Sequence, residues 1–151
     1  MNELKLSAAV GKPQVDRATS TIRGFKVATI GEARGHGLIV DDVTLSQLVQ
    51  LGNAAGKLKC RFTHPEQSDG LGSFIGDASN FRREGDSVLA DLEVSPVAAK
   101  SPRGDLADYV LSLAESAPHS FGASPHVKLA KEKIRGQKLP ALRGLEFRAV
   151  D

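Results

Sequence analysis

Cysteine occurs once in this chain, at Cys60. One thiol excludes an internal disulfide and suits a reducing compartment. No stretch of about 18 consecutive apolar residues occurs, so no membrane-spanning helix is expected. The opening Met1-Asn2-Glu3-Leu4-Lys5 lacks a basic stretch followed by an apolar core, so no signal peptide is expected there. Charge of one sign is also scarce: the net charge is +2, too small to imply a nucleic-acid partner. Lys128, Lys131, Lys133, Arg135 and Lys138 form a local basic run opposed by Glu132 alone. It has no aromatic residue on which bases could stack, and reads as solvated surface. HxxxH and CxxC spacings are missing, so Cys60, His64, His119 and His126 do not make a metal site. Gly35-His36-Gly37 has no strand–GxGxxG–helix setting, and no cofactor is expected.

What is present is ordinary for a globular domain. The 151 residues are 40% hydrophobic and 25% charged, enough for one domain with its own core. No repeat, low-complexity tract or linker divides the chain. Residues 1–20 read as an arm or edge strand: 3–10 alternate weakly, and Gly11–Ser20 is a loop. Thr21–Ile30 reads as a strand bent or bulged at Gly24, and Gly31–Gly37 as a flexible connection. A helix follows, capped by Asp42 or Thr44, with Leu45, Leu48, Val49 and Gly52 on one face and Gly56 as its stop. Lys57–Phe62 alternates as a strand, and Pro65–Gly72 is a polar loop. Ser73–Phe81 and Ser87–Val94 make a hairpin whose turn, Arg83–Asp86, takes its positive φ at Gly85. Leu106, Tyr109, Val110, Leu113 and Ala114 mark a second helix over Asp105–Ser116, ended by Pro118. His119–Leu129 is strand-like. Leu142–Asp151 is a closing strand, with Leu145, Phe147, Ala149 and Asp151 on one face and Glu146, Arg148 and Val150 on the other. Strands and helices do not alternate regularly, so a doubly wound sheet is not expected. The expected class is α+β: a mainly antiparallel sheet or small barrel of six or seven strands with inserted helices.

Chemistry is concentrated in few places. Leu58, Cys60 and Phe62 share one strand face, and His64 continues that parity to the strand end, where Pro65 stops the ladder. A histidine held there is well placed as a general base, although ordinary histidines occupy such places too. A nucleophilic serine needs a base in hydrogen-bond reach, a group orienting that base, and N–H donors for the oxyanion. Ser120-Phe121-Gly122 and Gly122-Ala123-Ser124 each set a small residue near a serine, where substrate backbone can approach. Neither is a GxSxG elbow, and each serine by itself reads equally as a polar strand or turn residue.

Order along the chain adds to this. Phe62-Thr63-His64-Pro65, Ile75-Gly76-Asp77, Leu89-Ala90-Asp91-Leu92, Gly104–Leu111, Phe121-Gly122-Ala123-Ser124 and Leu145–Asp151 follow one another in a layout that resembles the prohead (capsid maturation) proteases of tailed bacteriophages. That family shares the fold of the herpesvirus assemblin proteases. The resemblance covers about residues 20–151 and rests on the order and spacing of short motifs. It implies a serine endopeptidase that cleaves scaffold and capsid-precursor segments, and itself, inside the assembling prohead in the host cytoplasm. It implies His64 as the base and Ser124 as the nucleophile, with Ser120 as the alternative. The third member lies on the closing strand: Asp151, which shares the inward parity, with Glu146 or His126 as alternatives. Glu146 faces the same way as Arg148 and is expected to pair with it in solvent. Pro125 after the serine departs from the family's usual apolar residue. Relatives also run on from the closing strand into an Asp-x-Pro-Ala-like turn. Capsid and scaffold proteins would be the partners. Dimerisation, seen in the herpesvirus relatives, is not demanded by the helices here. The rival expectation is a non-catalytic capsid assembly or scaffolding protein of the same fold.

Overall fold

The computed structural model describes residues 12–33, 35–62, 71–118, 121 and 123–151. Nine strands and two α-helices follow in order: β1 (Gln14–Asp16), β2 (Thr21–Thr29), β3 (Gly31–Ala33), β4 (Leu38–Val40), α1 (Asp42–Ala55), β5 (Leu58–Arg61), β6 (Phe74–Glu84), β7 (Ser87–Val94), α2 (Leu106–Ser116), β8 (Pro125–Glu132) and β9 (Ala141–Val150). They form one sheet in the order β1-β2-β7-β6-β5-β9-β4-β3, with β8 also on β9. The sheet is mixed and curls into a half-barrel, an α+β architecture. Only β4 and β5 run parallel to their neighbour β9; the other pairings are antiparallel. No helix among the described residues is long and apolar enough to cross a membrane.

β9 is the hub. Ala141 pairs with Glu132 of β8 and Ile39 of β4, and Val150 with Pro125 of β8 and Cys60 of β5. A strand has two edges, so β8 takes one along its length while β4 and β5 share the other, end to end. Helix α1, which connects them, covers the gap: the Gln47 side-chain carbonyl accepts the Gly144 N–H at 2.7 Å. Leu45 and Leu48 of α1 are buried as the periodicity requires. Gly52 belongs to the same face because the Phe81 ring lies where its side chain would be, 2.5 Å from an ideal Cβ. The cap is Asp41, not Asp42 or Thr44. Its carboxylate accepts the Thr44 N–H, and the Thr44 hydroxyl accepts the Asp41 N–H, a capping box. Arg143 of β9 grips the same carboxylate at 2.8 and 3.1 Å, which ties the helix start to the hub strand.

Curvature comes from bulges. Between Ile22 and Phe25, β2 carries one residue more than β7, at Gly24 with φ +73°. The expected bulge is therefore present. On the other side of β7, strand β6 carries an extra residue at Asn80, φ +56°. Asp91 of β7 bonds both: its carboxylate accepts the Gly24 N–H at 3.0 Å, the Asn80 amide at 2.9 Å and Arg82 at 3.1 Å. Bulges raise local twist, and one carboxylate pins two of them.

Several expectations need correction. Gly11–Ser20 is not all loop among its described residues, since β1 lies within it and pairs with β2. Gly31–Gly37 is not a free connection: β3 and β4 form a hairpin around a turn at 35–37, where Gly35 and Gly37 take positive φ. Tyr109 lies 52% exposed on α2, and Leu111 is buried in the stripe instead. Leu145, expected inward, is 55% exposed. Register shifts give β9 an extra residue against β8 at Leu145 and another at Arg148; at the first, Leu145 and Glu146 both face outward. Of the strand expected over His119–Leu129, the part from Pro125 on is strand and continues to Glu132; 119, 120 and 122 lie outside the described residues. Residues 3–10 lie outside the described residues. The basic run is exposed on β8 and the connection to β9, as its composition suggested.

Asp91 makes the curl testable. Burial raises its carboxyl, but the bonds from Asn80, Gly24 and Arg82 outweigh that and hold it below the ordinary 3.8. The stabilisation is therefore complete above pH 3.8 and is lost as pH falls through the lower folded value. Asp91→Ala should cost about 1.5–3 kcal/mol at pH 7, as for hydrogen bonds to a charged group. In urea unfolding, the gap between variant and wild type should close on acidification; a gap that persists well below pH 3 would assign it to something other than the carboxylate.

Candidate functional site

Three distant segments meet where β5, β8 and β9 end. Arg61, the last residue of β5, is buried with 9% of its side chain exposed, and Asp151, just past β9, with 2%. Arg61 grips Asp151 with two nitrogens: Nε donates to Oδ1 at 2.6 Å and Nη2 to Oδ2 at 3.1 Å. Such a fork-to-fork pair is among the strongest side-chain contacts. Nη2 also lies 3.1 Å from His126 Nδ1. A guanidinium only donates, so Nδ1 is the acceptor and the ring proton sits on Nε2. Ser124 and Asp151 exchange backbone N–H···O bonds, both 2.9 Å, extending the β8–β9 ladder one pair beyond Pro125 and Val150.

Cys60, one residue earlier on β5, is also buried. Burial first, then the nearby Asp151 carboxylate, pushes its thiol up to about 12. It stays protonated at neutral pH and is no nucleophile.

A cleft of about 480 Å³ opens beside this cluster, lined by Ser124, His126 and Asp151 and also by Glu32 and His36 of the β3–β4 hairpin. Its walls are mostly apolar. This combination of an apolar hollow and a few convergent polar groups is the usual form of a binding site.

Of the residues singled out in the sequence, Ser124, Asp151 and His126 are brought together. Asp151 faces inward, as its parity suggested. Glu146 is not part of the cluster: it is 58% exposed and pairs with Arg148 at 3.4 Å, as expected. His64 and Ser120 lie outside the described residues. Arg61 was missed, because strict alternation puts it on the outward parity with Lys57 and Lys59. The ladder shifts register between Cys60 and Arg61, where β6 carries one extra residue, Ile75, and nothing in the local sequence signals that. The hairpin that brings Glu32 and His36 to the cleft was hidden in a glycine-rich stretch. Comparison with protein-family models, with curated proteins and with solved structures finds no match to this chain.

Removing one partner of a buried pair strands the other charge. Arg61→Met should therefore cost about 3–5 kcal/mol, whereas replacing both partners by apolar residues, Arg61→Met with Asp151→Leu, should cost less than Arg61→Met alone. Chemical denaturation of the two variants checks this; a double variant less stable than the single one would show that the pair matters through more than its charges.

Proposed function

We propose that the chain is a serine endopeptidase of the prohead-maturation kind, with an assemblin-like fold, that cleaves scaffold and capsid-precursor segments and itself within the assembling head. The observation that carries this reading is the convergence of Ser124 and Asp151 at one cleft, with Arg61 at the end of β5 bonded to Asp151. His64 follows Arg61 by three residues, a reach of about 11 Å along the chain.

In this reading His64 takes the Ser124 hydroxyl proton as the serine attacks the scissile carbonyl, then returns it to the leaving amine. Asp151 accepts the other ring N–H of His64 and stabilises the imidazolium. A carboxylate has about four lone-pair sites, so two bonds from Arg61 still allow a third. His126 suits the orienting role less well. Its Nδ1 already accepts from Arg61 and its Nε2 carries a proton, which leaves no acceptor for the base. The Ser124 N–H is occupied by the Asp151 carbonyl, so oxyanion donors would come from other backbone groups. Ser120 remains the alternative nucleophile.

One observation favours the rival, a non-catalytic capsid assembly protein of the same fold: the bidentate grip of Arg61 gives Asp151 a complete structural role without any catalysis. Incubation with scaffold and capsid precursor, read on gels, separates the two. His64→Ala should slow cleavage roughly 10²–10⁴-fold, Ser124→Ala should abolish it, and Ser120→Ala should leave it. Loss in Ser120→Ala but not Ser124→Ala would move the nucleophile to Ser120. Cleavage that survives both in His64→Ala and in the Ser120→Ala/Ser124→Ala double variant would end the protease reading.

A further inference from the structure

The cleft beside Ser124 is bounded by strand edges as well as by faces. Four consecutive residues of β8 and its approach, Ser124 to Val127, border it, as do three consecutive residues of β2, Val27 to Thr29. The ladder shifts register in both stretches, between Lys26 and Ala28 and between His126 and Val127, so consecutive residues reach the cleft there. Neither edge carries a neighbour among the described residues. β8 pairs only with β9, and β1 covers β2 only from Thr21 to Arg23. Among the described residues this is the open seam of the half-barrel, and edges of this kind accept an added strand.

The floor of the seam is apolar. Five elements each supply one wall: Val27 of β2, Leu38 of β4, Leu48 of α1, Val127 of β8 and Leu142 of β9. We infer that this seam binds an extended peptide along β8 and takes one large apolar side chain, of the Leu or Phe class, into the cleft. The inference rests on the endopeptidase reading for its meaning as a specificity site, since it fixes which residue lies next to Ser124. Main-chain pairing supplies affinity for any sequence; the cleft supplies the choice. An aspartate there would lose its water against apolar walls and meet Glu32, so acidic residues are rejected.

The test uses binding, so that it does not depend on cleavage. Dansylated nonapeptides of Gly and Ser with one central variable residue are titrated into the Ser120→Ala/Ser124→Ala variant of the 151-residue chain, with fluorescence anisotropy as readout. Leu and Phe peptides should bind about 10-fold or more tighter than Ala or Asp peptides. Ala28→Leu and Ala33→Leu, added separately, extend side chains from two partly exposed positions on the cleft wall. Each should bring the Leu/Ala affinity ratio towards one, with thermal unfolding confirming that the variant is folded. Equal affinities for Leu and Ala peptides, or full discrimination retained in both filled variants, would overturn the inference. The two readings fail separately. Discrimination without cleavage by the wild type removes the protease and keeps the apolar site; cleavage without discrimination does the reverse.

Discussion

Arg61 and Asp151 are separated by ninety positions in the chain and joined by a buried two-point ion pair. Around that pair β5, β8 and β9 come into register. Cys60 pairs with Val150, Pro125 with Val150, and Ser124 with Asp151. A buried charge pair is weak evidence for net stability, because desolvation opposes the attraction. Its value here is geometric. A planar guanidinium meeting a carboxylate at two atoms fixes distance and orientation together, and the third contact, to His126, fixes a tautomer as well.

The same economy recurs elsewhere in the sheet. Asp91 holds bulges on both neighbouring strands, and Asp41 both caps α1 and anchors Arg143 of β9. Each carboxylate joins segments that local propensity alone would leave unconnected. Among the described residues the sheet is open between β8 and β2, and the cleft is lined by residues of both strands. A cleft bordered by a strand edge is a natural dock for an extended polypeptide, so the proposed chemistry and the proposed substrate form agree.

Much of the architecture was legible because it follows from short-range rules. The two helices were marked by apolar spacing and stop signals. The β6–β7 hairpin was marked by Gly85, whose φ of +59° the turn needs. The bend in β2 was marked by Gly24. The candidate site was legible in part. Ser124, His126 and Asp151 were picked out and do lie together, and Glu146 was correctly seen as a solvent partner of Arg148. Arg61 was not picked out, and neither were Glu32 and His36. Arg61 was hidden because side-chain alternation is reliable only while a ladder keeps its register, and β6 breaks its own beside it; Glu32 and His36 were hidden because their short hairpin lies in a glycine-rich stretch.

The amino-acid sequence by itself determined the class of fold, the positions of most elements and the residue types able to carry hydrolytic chemistry, because capping, periodicity and turn conformation act within a few residues. Only the tertiary structure decided that the end of β5 meets the end of β9, that an arginine of outward parity is buried there, and that three-residue strands complete a half-barrel. Those outcomes depend on which edges pair and where a bulge inserts a residue. Such choices are settled by the packing energy of the whole sheet and leave no local mark in the chain.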